Sequence, residues 1–585
     1  MPKIEVNEKL FFDAVGRRYD YAALEDVLPC AKAELDEKPD ETLPENERTI
    51  KIELNDTNRP DLWSTNGVAR QLKLHAGDVR EANSVTKRSG NIPDYFKFMA
   101  NRGNTDYGER VINVEPDLKD IRPFMVAFLI CGKPIDDTML KDIIQTQEKL
   151  CWNFGRKRKS ISMGVYRAEK IKFPATYKAV DPDKTSFIPL QSEQPMTCRQ
   201  ILTDHPKGRD YGWILEGLPK FPLLTDANGE VLSMAPIING AFLGAVKVGD
   251  KDLMVEMTGD NMENLLLSMN IVACDFIDQG YDIKPILVKH PYETGFGRDI
   301  MTPFYFQKTT TAKLSNINSV LGSEFDIQKV CDALTRMGST VETKQIESDW
   351  EITLSPAPYR NDFLHEVDVT EDVMIGMGVS QFPPLKPRDF TIGKLSDVTI
   401  FSRKAKEIMA GLGYQEMIFN YLGSKKDYVE KMNIDTRDII EIANPMSENY
   451  QFVRNSILPS LLRAESGSAN AIFPHKIFEV GKVAYICADE NTGTRTRQNL
   501  GLLTAASNAN FNTLASEISS LLYFLDHEYK VVETDDPRFV PGRQAGILVG
   551  EKQIGIFGEV HPQVLENWAI QVPCVAAELD LEELM

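Results

Sequence analysis

The sequence predicts a multidomain α+β protein, and three observations carry that prediction. The chain has 585 residues, too many for one hydrophobic core, so roughly three to five domains are expected. Helix-period and strand-period stretches alternate along it, with no internal repeat and no low-complexity tract. Hydrophobic residues make up 42%, as in ordinary globular domains, and no run of about 18 apolar residues suggests a membrane-spanning helix.

Residues 1–90 read as a small mixed domain. IEV at 4–6 and IKIEL at 50–54 alternate like strands, YAALEDVL at 21–28 has helical spacing, and DEKPDETLPENE at 36–47 is a polar, Pro-containing loop. In NDTNRPDLWSTNGVARQLKL (55–74) the Pro-Asp turn ends near Leu62, and Ser64 is placed to cap a helix carrying Val68 and Leu72. Residues 91–290 form a longer mixed module. MVAFLICGKPI (125–135) is a β-type run, and TMLKDIIQTQEKLCWNFG (138–155) has helical spacing. APIINGAFLGAVKVG and DLMVEMTGD (235–260) read as consecutive strands with tight turns at Asn239-Gly240 and Gly249-Asp250. NMENLLLSMNIVACDFIDQ (261–279) reads as a helix.

Residues 300–388 hold an amphipathic helix at 325–338 stopped by Gly338, a strand near 351–354, the turn SPAPYR, a second helix at about 366–377, and the exit FPPLKP. Residues 391–585 alternate helices and strands, beginning with the helix SRKAKEIMAGLG (402–413) and strand-like EMIFNYL.

Lys plus Arg number 66 against 86 Asp plus Glu, a formal net charge of −20. Proteins that grip nucleic acid through their own surface are usually basic, so service to RNA would need a partner that supplies phosphate contacts. Eight scattered cysteines with no CxxC and no Cys–His cluster argue against a structural zinc site and a disulfide framework. The start, MPKIEVNEKLFF, lacks the basic and apolar regions of a secretory signal. A cytoplasmic protein is expected.

Residues 359–378, YRNDFLHEVDVTEDVMIGMG, place five carboxylates within eleven positions, Asp362 to Asp372. Asp368, Glu371 and Asp372 stand at i, i+3 and i+4 and share one helical face; Asp362 precedes the helix and can fold back towards it. Such a face suits solvent, and a helix N-terminus favours acids without any metal. Oxygen ligands without His or Cys equally suit a hard cation such as Mg²⁺. Elsewhere there is no P-loop, dinucleotide fingerprint or Ser–His–Asp set. His561 reads as structural, and His205 and His290, each before Pro, as turn residues.

SPAPYRNDFLHEVDVTEDVMIGMGVSQFP resembles a segment of the phenylalanyl-tRNA synthetase β-subunit family. NDTNRPDLWSTNGVARQLK (55–73), NPMSENYQFVRNSILPSLL (444–462), FEVGKV (478–483) and PGRQAGILVGEKQIGIFGEVHPQVL (541–565) are similar to further elements of that family, in its order and over nearly the whole chain. For the acidic stretch the resemblance implies a Mg²⁺ ion near the α-subunit interface, held by Asp362, Asp368, Glu371 and Asp372. Segment 91–290 looks like the family's editing module in its archaeal/eukaryotic form. That form starts with the small N-terminal domain and lacks the anticodon-reading module, as expected here.

A site that accepts phenylalanine cannot fully reject tyrosine, so a second, hydrolytic site must select the extra hydroxyl with a buried acceptor. A phenylalanine there would leave the acceptor unpaired, costing roughly 1–3 kcal/mol. The resemblance points to Ser233, Asn239, Glu256 and Thr258 as the pocket, with Glu256 accepting the tyrosine hydroxyl. Thr258 and Asn239 would hold the ester or a hydrolytic water. Glu256 stands where the family often has Asp, and Ala235-Pro236 where it often has Pro-Pro. Taken alone, the residues suggest instead an exposed edge strand for Glu256, a turn for Ser233 and a plain Asn-Gly hairpin at Asn239.

The last segment resembles a class II synthetase catalytic fold, an antiparallel sheet flanked by helices. It lacks that fold's chemistry: Arg454 is followed by Asn-Ser where an Arg-x-Glu element is needed, and no Gly-x-Gly-x-x-x-Arg lies near the C-terminus. The resemblance implies a catalytically silent copy that pairs with an α subunit through the 402–413 helix and the strand after it. The family's (αβ)₂ heterotetramer charges tRNA(Phe) with phenylalanine, using ATP and Mg²⁺, without any membrane. The rivals are a free-standing editing hydrolase, a non-enzymatic RNA-binding or assembly module on a dead synthetase fold, and a Mg²⁺-dependent hydrolase. The last lacks a nucleophile or base beside its carboxylates.

Overall fold

The computed structural model describes residues 2–40, 42–56, 58–77, 107–435, 439–468 and 470–585. Residues 78–106, which contain the expected junction at 90/91, lie outside the described residues. The chain divides into two compact units, Met1–Leu385 and Lys386–Met585.

The first unit opens with a three-stranded antiparallel sheet in the order Lys3–Asn7, Thr49–Leu54, Ala33–Glu37. Ile4, Val6, Ile50, Ile52 and Leu54 alternate onto its buried face, under the helices Glu8–Val15 and Thr65–Ala76. The Ser64 hydroxyl caps the second helix by accepting from the Gly67 N–H at 2.9 Å, as the sequence predicts. From that helix Arg70 reaches Asp275 and Asp278 of the helix Met262–Asp278, at 2.5 Å each. Breaking a buried pair of this kind costs about 3–5 kcal/mol, so the ion pairs fasten the small sheet to the module that follows.

That module is built on a ten-stranded mixed sheet. From one end it runs Ile161–Arg167, Leu253–Gly259, Phe124–Cys131 and Asp282–Lys289, antiparallel throughout. All seven residues of Leu253–Gly259 are buried, with the helix Met262–Asp278 packed across it and Phe124–Cys131. The edge-strand expectation for Glu256 is therefore corrected: LMVEMTG lacks clean alternation because both of its faces are covered. Towards the other end run Val111–Val114, Ala175–Val180, Phe221–Thr225, Val231–Met234 and Ile238–Asn239. Asn239-Gly240 does not turn a hairpin. The backbone passes from Asn239 into a short helix, Ala241–Gly244, so of the strand predicted over this stretch only Ile238–Asn239 forms. The turn predicted at Gly249-Asp250 forms, with Gly249 at φ +95°.

A third, three-stranded sheet, in the order Thr310–Lys313, Asp349–Ser355, Thr340–Ile346, carries the helices Ile327–Arg336 and Glu366–Met377. The second unit is centred on a seven-stranded sheet in the order Gln415–Glu416, His475–Ile486, Thr494–Ala505, Cys574–Asp580, Lys552–Val560, Phe539–Val549, Lys530–Val532. Only the first pair is parallel. The helices Asp397–Gly411 and Phe511–Phe524 bury Met409, Leu514 and Ile518 with Phe478 and Leu500, while Leu458–Ser466 packs Leu461 and Leu462 with Leu503. Strand-like EMIFNYL yields only Glu416 and Leu422 to strands, and its Ile418 is exposed.

Candidate functional site

Glu256 stands in mid-strand with Gly164 opposite it on one neighbour and Ala127 on the other. Its carboxylate therefore lies over almost no side-chain bulk. A Cβ on Gly164 would come within 2.0 Å of the Tyr166 hydroxyl and 2.6 Å of Glu256 Oε1, so glycine is what allows the two groups to meet. Tyr166 donates to Glu256 Oε1 at 2.7 Å and stands 3.5 Å from Asn239 Oδ1. Ser233 pairs with Asn239 across the last two strands. Neither Glu256 Oε2 nor Ser233 Oγ has a hydrogen-bond partner of ordinary geometry within the chain. Buried polar atoms are nearly always satisfied, so these two oxygens are open to a further partner, water included. Glu256 is 2% exposed. Burial pushes its carboxyl up to about 7, against the pull of the Tyr166 hydrogen bond and the Arg122 charge.

Thr258, two residues along the same strand face, is held by Arg122. That buried guanidinium donates to Thr258 Oγ1 at 2.8 Å, to Thr258 O at 2.5 Å and to Ser162 Oγ at 3.1 Å. Ser162 and Thr258 hydroxyls are 2.9 Å apart. The structure thus gathers Ser233, Asn239 and Glu256 around the Tyr166 hydroxyl and fixes Thr258 beside them. Tyr166, Gly164 and Arg122 are the residues that sequence reasoning missed. Ser162, Gly164 and Tyr166 do stand at i, i+2 and i+4, which puts them on one strand face, but which strand they face is not legible from ISMGVYR.

The acidic helix is organised by a cation already in the chain. Arg360, 1% exposed, donates from Nε and Nη2 to Asp362 at 3.0 and 2.6 Å, and from Nη1 and Nη2 to Asp372 at 2.5 and 3.0 Å. Asp368 Oδ2 accepts from the N–H groups of Leu364 and His365, both at 2.7 Å, closing the helix start. Glu371 takes Lys32 Nζ at 2.9 Å. Burial raises both inner carboxyls; for Asp362 the adjacent guanidinium overrides it and brings the group down to about 2, whereas Asp372 stays raised.

Among the described residues, no group of three His, Cys, Asp or Glu side chains stands where it could hold a metal. Mg²⁺ needs its oxygens converging at about 2.0–2.1 Å. Asp362, Asp368, Glu371 and Asp372 as placed answer to the Arg360 guanidinium, to two backbone N–H groups and to Lys32, and do not fit that ion.

Family models match three stretches of the chain. Residues 1–78 match the Phe-tRNA synthetase beta subunit B1 domain, 310–379 the tRNA synthetase B5 domain, and 383–581 the phenylalanyl tRNA synthetase beta chain CLM domain. The chain is 44% identical to the phenylalanine–tRNA ligase beta subunit of Treponema pallidum subsp. pallidum over 618 residues, and 44% identical to that of Borrelia hermsii over 587, each covering 100% of both proteins. The chain belongs to the phenylalanine–tRNA ligase beta-subunit family. Among solved structures it is similar to an N-terminal fragment of the phenylalanyl-tRNA synthetase beta subunit from Pyrococcus horikoshii, with 32% identity and a TM-score of 0.56, over 64% of this chain and 100% of that one.

As a member of that family, the chain is a subunit of a heteromeric aminoacyl-tRNA ligase that serves protein biosynthesis. The acidic helix lies within the B5 match and Arg454 within the CLM match. Arg454 is fully buried. It donates to both oxygens of Glu479 at 2.8 and 2.9 Å and to the Lys482 carbonyl at 2.9 Å, with its guanidinium 4.7 Å over the Tyr421 ring. A Cβ on Gly481 would meet its Nη2 at 2.2 Å, so the backbone is cut back to admit it. His205 and His561 each cap a short helix. His290 is buried, accepting from the Met125 N–H at 3.3 Å. No helix among the described residues is long and apolar enough to cross a membrane.

Proposed function

We propose that this chain is the non-activating half of its ligase and that it hydrolyses tyrosyl-tRNA formed in error. The observation that carries this reading is the Glu256 carboxylate, buried with one oxygen bonded to Tyr166 and the other unpaired. A tyrosine side chain brings a phenol that can donate to the open oxygen; a phenylalanine leaves it orphaned, a difference of roughly 1–3 kcal/mol. Thr258, held by Arg122, and Asn239 at the rim would position the ester or the attacking water.

Phenylalanine activation with ATP and Mg²⁺ would then fall to an α subunit in a cytoplasmic (αβ)₂ heterotetramer acting on tRNA(Phe). Arg454, fully committed to Glu479, supports a class II-like fold in 391–585 that has lost its activating chemistry. We assign four modules, 1–90, 91–290, 300–388 and 391–585, in the archaeal/eukaryotic arrangement, a reading supported by likeness to the Pyrococcus horikoshii fragment.

For the acidic helix the geometry favours an ion-pair brace. Mg²⁺ binding by Asp362, Asp368, Glu371 and Asp372 would require Arg360 to release two of the four carboxylates. Co-production with an α subunit, followed by sizing and a phenylalanine-charging assay, tests the division of labour. The chain alone should be inert in charging, and the complex active. Charging by the isolated chain would refute the proposal.

A further inference from the structure

We propose that the cavity beside residues 153–160 is an effector site for a free aromatic α-amino acid, distinct from the Glu256 pocket. The site uses none of the residues on which the editing reading rests. The cavity has a volume of about 840 Å³, within the range of small-molecule sites. Phe154, Arg156 and Asp260 line it with the amides of Asn153 and Asn264, and the buried Trp63 forms part of its wall.

Arg156 and Asp260 are opposite charges on one cavity that do not meet. Among the described residues Arg156 forms no ion pair, and the Asp260 carboxylate accepts only from the Ser160 hydroxyl, at 3.3 Å. Both are carried on backbone that is tied down. Arg156 follows Gly155, where a Cβ would stand 2.4 Å from the Ile161 carbonyl. It opens a run of three residues, Arg156, Lys157 and Arg158, with φ of 49°, 55° and 69°, and the Ser160 N–H closes the turn onto the Gly155 carbonyl at 2.9 Å. Non-glycine residues at positive φ persist where their surroundings over-determine them, and they concentrate at ligand clamps. Asp260 follows Gly259, where a Cβ would stand 2.0 Å from the Ser160 carbonyl. After it, Asn261 caps the helix Met262–Asp278 by accepting from the Asn264 N–H at 3.0 Å. Phe154 ends a π-helical turn, Leu150–Phe154, a distortion frequent at functional sites.

An α-amino acid carries the complementary pair of charges on a single carbon. Its carboxylate suits the Arg156 guanidinium, its ammonium suits Asp260, and side-chain amides, which both donate and accept, serve either group. An aromatic side chain stacks on Phe154. A nucleotide would instead bring phosphate towards Asp260, and a ligand of one charge would leave the other wall unanswered.

The test uses the complex with its α subunit and phenylalanine as probe, the activating site first being filled with a non-hydrolysable phenylalanyl-adenylate analogue. Equilibrium dialysis should then find one further phenylalanine bound per αβ pair. Arg156→Gln and Asp260→Asn should each weaken that binding at least about tenfold, the loss expected for a hydrogen bond to a charged group. Phe154→Ala should weaken it about fivefold, and phenylalanine charging should be unchanged in every variant. Two analogues fix the polarity: phenylalanine methyl ester should be indifferent to Arg156→Gln, and phenylpropionate to Asp260→Asn. No phenylalanine beyond the filled site, or binding of equal strength in all the variants, would overturn the proposal. So would binding abolished by Glu256→Ala and untouched by Arg156→Gln, which would place the extra amino acid in the Glu256 pocket.

Discussion

Replacing Arg360 by Ala should loosen the acidic helix by an amount that can be worked from its contacts. The guanidinium is shared by Asp362 and Asp372, whose side chains are 6% and 2% exposed, and it lies 4.3 Å over the Phe363 ring. Removing one partner of a buried pair leaves an uncompensated charge and costs about 3–5 kcal/mol. Here two carboxylates are orphaned at once, so the upper half of that range is expected. In hydrogen exchange, 3–5 kcal/mol corresponds to roughly 150- to 5,000-fold lower protection of the amides of Glu366–Met377, a local readout that avoids assuming two-state unfolding of a large chain.

The loss should grow with pH. Orphaned carboxyls are pushed up by burial, so the variant is least damaged where they are protonated and most damaged where they must ionise. A change below about fivefold, roughly 1 kcal/mol, would refute the brace. Restoration of protection by Mg²⁺ alone would instead revive the carboxylates as metal ligands.

Three further outcomes follow from the Glu256 site. Tyr166→Phe removes the donor to Oε1, so preference for hydrolysing tyrosyl- over phenylalanyl-tRNA should fall about tenfold, worth 1–1.5 kcal/mol, with charging by the complex retained. Gly164→Ala forces a Cβ between Tyr166 and Glu256 and should abolish that preference, which paired deacylation assays would read. The preference should also rise as pH passes about 7, where Glu256 ionises and offers its open oxygen. Its stability effect runs the other way: with the folded value above the ordinary 4.5, its contribution is fully present below about 4.5 and lost as pH rises to about 7.

Element identity was legible wherever one periodicity ruled. Ser64 and its helix, the helix Met262–Asp278 and the strand Thr49–Leu54 follow from capping and spacing. Asn239-Gly240 misled because Asn-Gly favours a hairpin only when two strands flank it, and here a four-residue helix follows. LMVEMTG hid its position because a strand covered on both faces loses the alternation that marks an edge. In the acidic stretch the spacing puts Asp368, Glu371 and Asp372 at i, i+3 and i+4, yet it does not say which cation meets them; Arg360 lies two residues before Asp362 and twelve before Asp372. Tyr166 and Arg122 were hidden for a related reason. Their importance lies in contacts across strands and over 90 and 136 positions of chain, and no local pattern encodes them.

Single-turnover deacylation of tyrosyl-tRNA and phenylalanyl-tRNA by the αβ complex, with wild-type Glu256 and with Glu256→Ala, tests the central claim most directly. The tyrosyl ester should be cleaved preferentially by the wild type, and the variant should lose that preference while still charging phenylalanine. Equal preference in the two proteins would contradict the assignment of Glu256 as the group that recognises the tyrosine hydroxyl.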